Sequence, residues 1–151
     1  MAQLAQINIA YGFEEVDHPS MVDFKEAIDH INMLAERSEG FVWRFQTEEG
    51  DATAVRLFDD PKVIVNISVW ESLDALKNYV YQGEHLDILK RKKEWFQKTK
   101  GPHLALWWIE DGEFPTAEQA KEKLEYLAKH GPNEHVFNMA WAGNIKVQRQ
   151  E

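Results

Sequence analysis

An α+β domain is the fold class this chain predicts, and three observations carry it. Four short segments have the composition and alternation of strands, helical spacing separates the first from the second and the third from the fourth, and the middle two follow one another directly. That order is β-α-β-β-α-β, with further periodic sequence after it.

The first strand is read at residues 4–11 (LAQINIAY), with Ala5, Ile7, Ile9 and Tyr11 on one face and Gln6 and Asn8 on the other. The polar stretch from Gly12 to Pro19 ends it. Ser20 has the character of an N-cap, with Asp23 three residues on. Phe24, Ile28, Ile31 and Leu34 then recur at helical spacing until about residue 37, and Gly40 closes the element. Residues 41–46 (FVWRFQ) read as a second strand, with Val42, Arg44 and Gln46 on one face and Trp43 on the other, beneath the helices. TEEGD at 47–51 is a turn, and 52–58 reads as a short hairpin extension. KVIVNISVW at 62–70 is dense in β-branched residues and is the third strand. Ser72 caps a helix whose inward stripe is Leu73, Leu76 and Tyr79 with Val80; Gly83 interrupts it, and residues 84–98 resume. Gly101-Pro102 stops that helix before a fourth strand at 103–110 (HLALWWIE).

The sheet this order implies is ferredoxin-like, with its helices on one face. Beyond it, Thr116 and Gln119 form a capping box for a helix with Ala120, Leu124 and Leu127 inward, and 135–141 (HVFNMAW) reads as a fifth strand. The reading is one domain over 1–142 with a C-terminal α-β extension, and residues 143–151 as a free tail.

Composition narrows the function classes. With 151 residues, 44% hydrophobic and 28% charged, the chain can bury a core, and a net charge of −9 leaves no basic footprint for nucleic acid. The absence of cysteine excludes disulfides, thiolate metal sites and a Cys nucleophile. The N-terminus lacks the basic and apolar regions of a signal peptide, and no apolar run is long enough for a membrane span, so a cytoplasmic location without membrane contact is expected. The six histidines form no HxH, HxxxH or HExxH pattern, so no protein-ligated metal is expected.

Strand alternation supplies the most informative pattern. Asn8 on the first strand, Arg44 on the second, and Ile64, Asn66, Ser68 and Trp70 on the third share a polar-aromatic face. A merely solvated face would carry Lys, Glu and Thr. Amides, a guanidinium and indoles suit either a cavity that holds a ligand or a polar interface whose groups satisfy one another. On the reading that this face is the bare one, Val42, Ile64, Trp70, Trp107 and Ile109 lie exposed on a lone copy. Such a patch predicts burial by a two-fold partner, hence a homodimer, with the C-terminal helix as the rival cover.

The runs GFVWRFQTEEGDAT at 40–53, VNISVWESLDAL at 65–76, YVYQGEHLDILKRKKEWF at 79–96, LALWW at 104–108 and PTAEQAKEKLEYLAKHGP at 115–132 resemble a bacterial family of domains of unknown function. That family lies in the dimeric α+β barrel superfamily, beside antibiotic-biosynthesis-type monooxygenases. The resemblance implies two protomers packed sheet against sheet and a pocket between sheet and helices or at the barrel mouth. It also implies reactions that range over cofactor-free oxygenases, haem-degrading enzymes, lyases and isomerases. SVWES at 68–72 is similar to a tract of the haem-degrading monooxygenases, and Asn8 stands where they carry an asparagine. Their haem-ligating histidine aligns near Leu89, however, and not at His85, so no cofactor is expected.

Several side chains are candidates for a site on a small, largely apolar molecule. His85 could act as a general acid or base, a role that imidazole suits, or it packs at a helix start. Asn66 and Asn8 could stabilise developing negative charge, or could satisfy a buried network together with Ser68. Arg44 could orient an anionic group or form a salt bridge. Trp70, Trp107, His103 and Tyr79 are the candidate walls. A cofactor-independent monooxygenase or lyase is one reading of this set; the alternatives are a metabolite-binding domain without turnover and, from the resemblance, a haem-binding or haem-degrading protein.

Overall fold

Strand β1 (Ala2–Tyr11) is apolar at nearly every second position and becomes the central member of a four-stranded antiparallel sheet. In this computed structural model the described residues are 2–15, 18–45, 62–80, 92–97 and 102–142. They comprise β1, α1 (Val22–Glu36), β2 (Phe41–Arg44), β3 (Val63–Trp70), α2 (Leu73–Val80), the short α3 (Lys92–Trp95), β4 (Leu104–Glu110) and α4 (Ala117–His130). The strand order is β2-β3-β1-β4, which the β-α-β-β-α-β connectivity requires of a ferredoxin-like sheet. The expected hairpin at 52–58 and most of the resumed helix at 84–98 lie outside the described residues, as does the tail at 143–151.

Two of the three expected caps form. Ser72 Oγ accepts Ala75 N at 3.1 Å, and Thr116 and Gln119 exchange side-chain and backbone bonds at 2.9 and 3.1 Å. Ser20 does not cap α1. Pro19 starts a 3-10 turn over Pro19–Met21 instead, and His18 Nδ1 accepts Ser20 N at 3.1 Å, so the cap sits two residues earlier.

The sheet has two very different faces. Ala5, Ile7 and Ile9 of β1 align with Val69, Ile67 and Val65 of β3 and with Trp107 and Ala105 of β4. This wholly apolar face packs against Ala120, Leu124 and Leu127 of α4 and against Val136. The other face carries Leu4, Gln6 and Asn8 opposite Trp70, Ser68 and Asn66. It lies against Ala35 of α1 and Leu76 of α2 at one end, and against Met21, Phe24 and Trp95 at the other.

This arrangement corrects the expected placement of the polar face, which is the one beneath α1 and α2 and is not left bare. Ile64, Trp70 and Trp107 are 8%, 1% and 4% exposed, so the large side chains of the apolar patch expected of a single copy are buried within the chain, while Val42 and Ile109 are half-buried. Ile64 and Trp70 are covered on the helical side and Trp107 on the α4 side. The patch argument for a two-fold pairing lapses with it, because the C-terminal helix docks on the apolar face.

Strand β2 also departs from simple alternation. Phe41 pairs with Trp70 but Trp43 pairs with Val69, so a bulge inserts an extra residue at Val42. Val42, Trp43 and Phe45 consequently join the α4-side cluster, while Phe41 and Arg44 face the amides. Trp43 is therefore core under α4, not under α1 and α2, and its ring stacks on Phe114 at 5.0 Å and 5°.

The expected fifth strand is reduced to one bridge, in which Leu106 and Phe137 exchange backbone bonds at 2.8 and 2.9 Å. Asparagine side chains end it on both sides. Asn133 Oδ1 accepts His135 N at 2.8 Å, and Asn138 Oδ1 accepts Trp141 N at 2.8 Å, turning the chain off the sheet edge and then into a helical turn.

Candidate functional site: an amide network beneath the helices

The centre of the helical face is polar because β1 and β3 each place two polar residues there in register. Gln6 lies opposite Ser68, and Asn8 opposite Asn66. Gln6 is 3% exposed and is the hub of the cluster. Its Nε2 donates to Asn66 Oδ1 and to Ser68 Oγ, both at 2.7 Å, and its Oε1 accepts from Asn8 Nδ2 at 3.0 Å. Asn8 Nδ2 also lies 3.4 Å from Asn66 Oδ1, a long and weak contact. Trp70 Nε1 donates to Ser68 Oγ at 2.9 Å and ties the aromatic end of β3 into the same network.

Apolar packing closes the network at both ends. Ile64 of β3 joins Met21, Phe24 and Trp95 on one side, and Trp70 joins Leu4, Leu106 and Phe137 on the other. The Trp70 ring stacks on Tyr79 at 5.1 Å and 27°, and the Tyr79 hydroxyl donates to Ile31 O of α1 at 3.0 Å. Burial pushes the Tyr79 phenol above its ordinary pKa, so it stays a neutral donor that pins α2 to α1.

The network retains unused hydrogen-bonding capacity. Asn66 Nδ2 and Asn8 Oδ1 bond to nothing among the described residues. Asn32, 6% exposed on the α1 stripe that includes Phe24, Ile31 and Ala35, has no hydrogen bond there either. These open atoms are not sealed in, since among the described residues Gln3 Oε1 is the one buried side-chain polar atom without a partner.

The structure thus brings together Asn8, Asn66, Ser68, Trp70 and Tyr79 of the expected site and separates others from it. Arg44 lies at the sheet edge opposite Ser68, and its Nε donates to Glu36 Oε1 at 2.7 Å. Trp107 lies on the opposite face beneath α4, and His103 is exposed beside the start of β4. His85 lies outside the described residues. Sequence reading placed Gln6 on the polar face without giving it a role, and it missed Asn32. Alternation could have raised Gln6, whereas Asn32 sits in an apolar helical stripe and stands out only once the stripe is seen to face amides.

Haem fits the described residues poorly. The side chains around the network are amides, a hydroxyl, an indole and a phenol held protonated, and none of these supplies an axial ligand to iron. No cluster of His, Cys, Asp and Glu suited to a metal ion occurs among the described residues, and no described helix is long and apolar enough to cross a membrane.

Sheet order and helical layer define an α+β protein built on a four-stranded antiparallel sheet of ferredoxin-like order. The chain belongs to the family described as Domain of unknown function (DUF3291), whose model matches residues 3–150. No curated protein is significantly similar to it. Among solved structures it is similar to NE2512, a protein of unknown function from Nitrosomonas europaea, with a TM-score of 0.52 and 10% identity over 78% of this chain and 98% of that one. It is also similar to a conserved protein from Methanosarcina mazei, with a TM-score of 0.50 and 13% identity over 71% of this chain and 92% of that one. A third neighbour is SnoaB, a cofactor-independent oxygenase from Streptomyces nogalater, with a TM-score of 0.50 and 15% identity over 75% and 98%. At these identities the likeness is one of fold.

Proposed function

We propose that this protein binds a small, largely apolar molecule against the amide network beneath α1 and α2, and that it acts on that molecule as a cofactor-independent oxygenase. One observation carries the reading: an amide network centred on buried Gln6 that leaves a donor on half-buried Asn66 and an acceptor on half-buried Asn8 open between two apolar clusters. Open polar groups flanked by apolar surface suit a ligand that carries an oxygen on an apolar frame, which supports this reading. The fold-level likeness to SnoaB makes cofactor-free oxygen chemistry the reaction type to test first.

In this reading the substrate carries a hydroxyl or carbonyl group on an apolar frame. Asn66 Nδ2 donates to its oxygen and stabilises the anion formed when a proton leaves, and Trp70 walls the apolar part. The substrate itself supplies the electrons that reduce dioxygen, so no redox group is needed. His85 is the proposed proton acceptor, and Arg44, with donors beyond the one held by Glu36, is the proposed entrance residue. The proposed location is the cytoplasm. A homodimer of this chain would pack through α4 or the β2 edge, since α4 already covers the apolar sheet face.

Oxygen uptake tests the proposal, measured with a panel of small phenols and enolisable ketones on the purified protein. Asn66→Ala should lower kcat/KM about 100-fold or more on any active substrate, the loss typical of one oxyanion donor. Turnover unaffected by Asn66→Ala would remove the network from the chemistry. A second reading, binding without turnover, draws on the mutual satisfaction of Gln6, Ser68 and Trp70. Mass spectrometry of ligand co-purified from the native host separates the two: an unchanged metabolite with no oxygen uptake favours binding alone.

A further inference from the structure

The outer edge of β4 is incomplete in a way that the amide site does not explain. Ile9 N donates to His103 O at 2.8 Å, so alternate residues from His103 onward bond inward to β1, and Leu106, Trp108 and Glu110 present their backbone groups outward. Leu106 spends both of its groups on Phe137. The Asn133 turn draws His135 away before the strand can continue past it. Trp108 is left with an N–H and a C=O that have no partner among the described residues, and Glu110 with a free N–H, its carbonyl being taken by Glu113 N at 3.0 Å.

That edge opens onto a cleft of about 640 Å³ between β4 and the first turns of α4. Its rim is aromatic and acidic together. Trp108 is 47% exposed and Phe114 43%, both large values for such side chains. Glu110, Glu113 and Glu122 line the cleft against one cation, Lys123.

We propose that this edge is a docking site for an extended, basic peptide segment, which adds a short strand at Trp108 and sets Lys or Arg side chains against Glu110, Glu113 and Glu122. Unpaired backbone groups beside an exposed indole supply the hydrogen bonds and the apolar contact of strand addition. The charge selects the occupant. A second copy would bring its own three carboxylates to the same place, on a chain whose net charge is already −9, whereas a basic segment is attracted.

The test uses the full chain, labelled with nitrogen-15, and an acetylated peptide of about six residues alternating lysine and valine. Saturable shifts of the Trp108 and Glu110 amide resonances, weakened by salt, are expected. The double variant Glu110→Lys/Glu122→Lys, both exposed positions, should lose at least about tenfold in affinity. A peptide of the same charge, N-methylated on the amides that would face β4, should also lose binding, and this arm needs no variant of the protein. Any one of four results would overturn the proposal: no shift at Trp108, equal binding of an alternating glutamate-valine peptide, full binding of the N-methylated peptide, or a Trp108 shift that follows protein concentration without peptide. The last would assign the edge to a second copy.

Discussion

The indole N–H of Trp70 donates to the hydroxyl of Ser68, two residues back along the same face of β3, at 2.9 Å. Ser68 thereby joins the aromatic end of the strand to Gln6, whose amide reaches the same oxygen at 2.7 Å. One small hydroxyl serves two buried donors.

Replacing Ser68 by Ala should therefore cost more than a lone hydroxyl would. Two buried donors lose their acceptor, and each unsatisfied group costs about 1–3 kcal/mol. Urea unfolding followed by tryptophan fluorescence should show a loss of at least about 2 kcal/mol at unchanged slope. A loss under about 0.5 kcal/mol would mean that water replaces the hydroxyl freely.

Gly40 lies where β2 begins, with φ of +85°, and a Cβ there would fall 2.4 Å from the Cβ of Ala75 on α2. Gly40→Ala meets both a backbone penalty and a steric one, and should destabilise the fold by about 2–4 kcal/mol. Adding Ala75→Gly should recover the steric part alone. Thermal melts of the single and double variants measure the split, and no recovery would place the whole cost in the backbone.

Alkaline stability should depend on Tyr79. Its phenol has an ordinary pKa of 10.0 in the unfolded chain and a higher one when folded, because burial disfavours the anion. The folded state therefore holds the proton more tightly, and its advantage is complete below pH 10.0 and lost as pH climbs above that value. Tyr79→Phe should lose about 1 kcal/mol at neutral pH, for the bond to Ile31 O, and should show a shallower decline above pH 10.0. Parallel pH profiles for the two proteins would show that Tyr79 is not the group responsible.

Helix α4 should be the cover of the apolar sheet face. Leu124→Asp places a charge among Ile7, Ile67 and Trp107, and should release α4. The expected result is binding of a hydrophobic dye together with concentration-dependent association in sedimentation equilibrium, neither shown to the same degree by the parent chain. A variant that behaves like the parent in both would mean that the face is covered by other means.

Several features followed from the sequence by itself, and they are the local ones. Alternation put Asn8, Asn66, Ser68 and Trp70 on one face, because side-chain direction along a strand is fixed by the backbone. The capping pair Thr116 and Gln119, and the cap at Ser72, were equally legible, since each is an interaction within one turn. Tertiary structure decided which face the helices cover. Both faces of β3 and β4 are apolar enough to be buried, so periodicity alone could not assign α1 and α2 to the amide side and α4 to the aliphatic side. Register between distant strands placed Gln6 between Asn66 and Ser68, sixty and sixty-two residues away, and made a hub of a residue whose local sequence gives it no role. The bulge at Val42 and the Asn133 turn were likewise set by pairing and hydrogen bonding, which strand propensity does not contain.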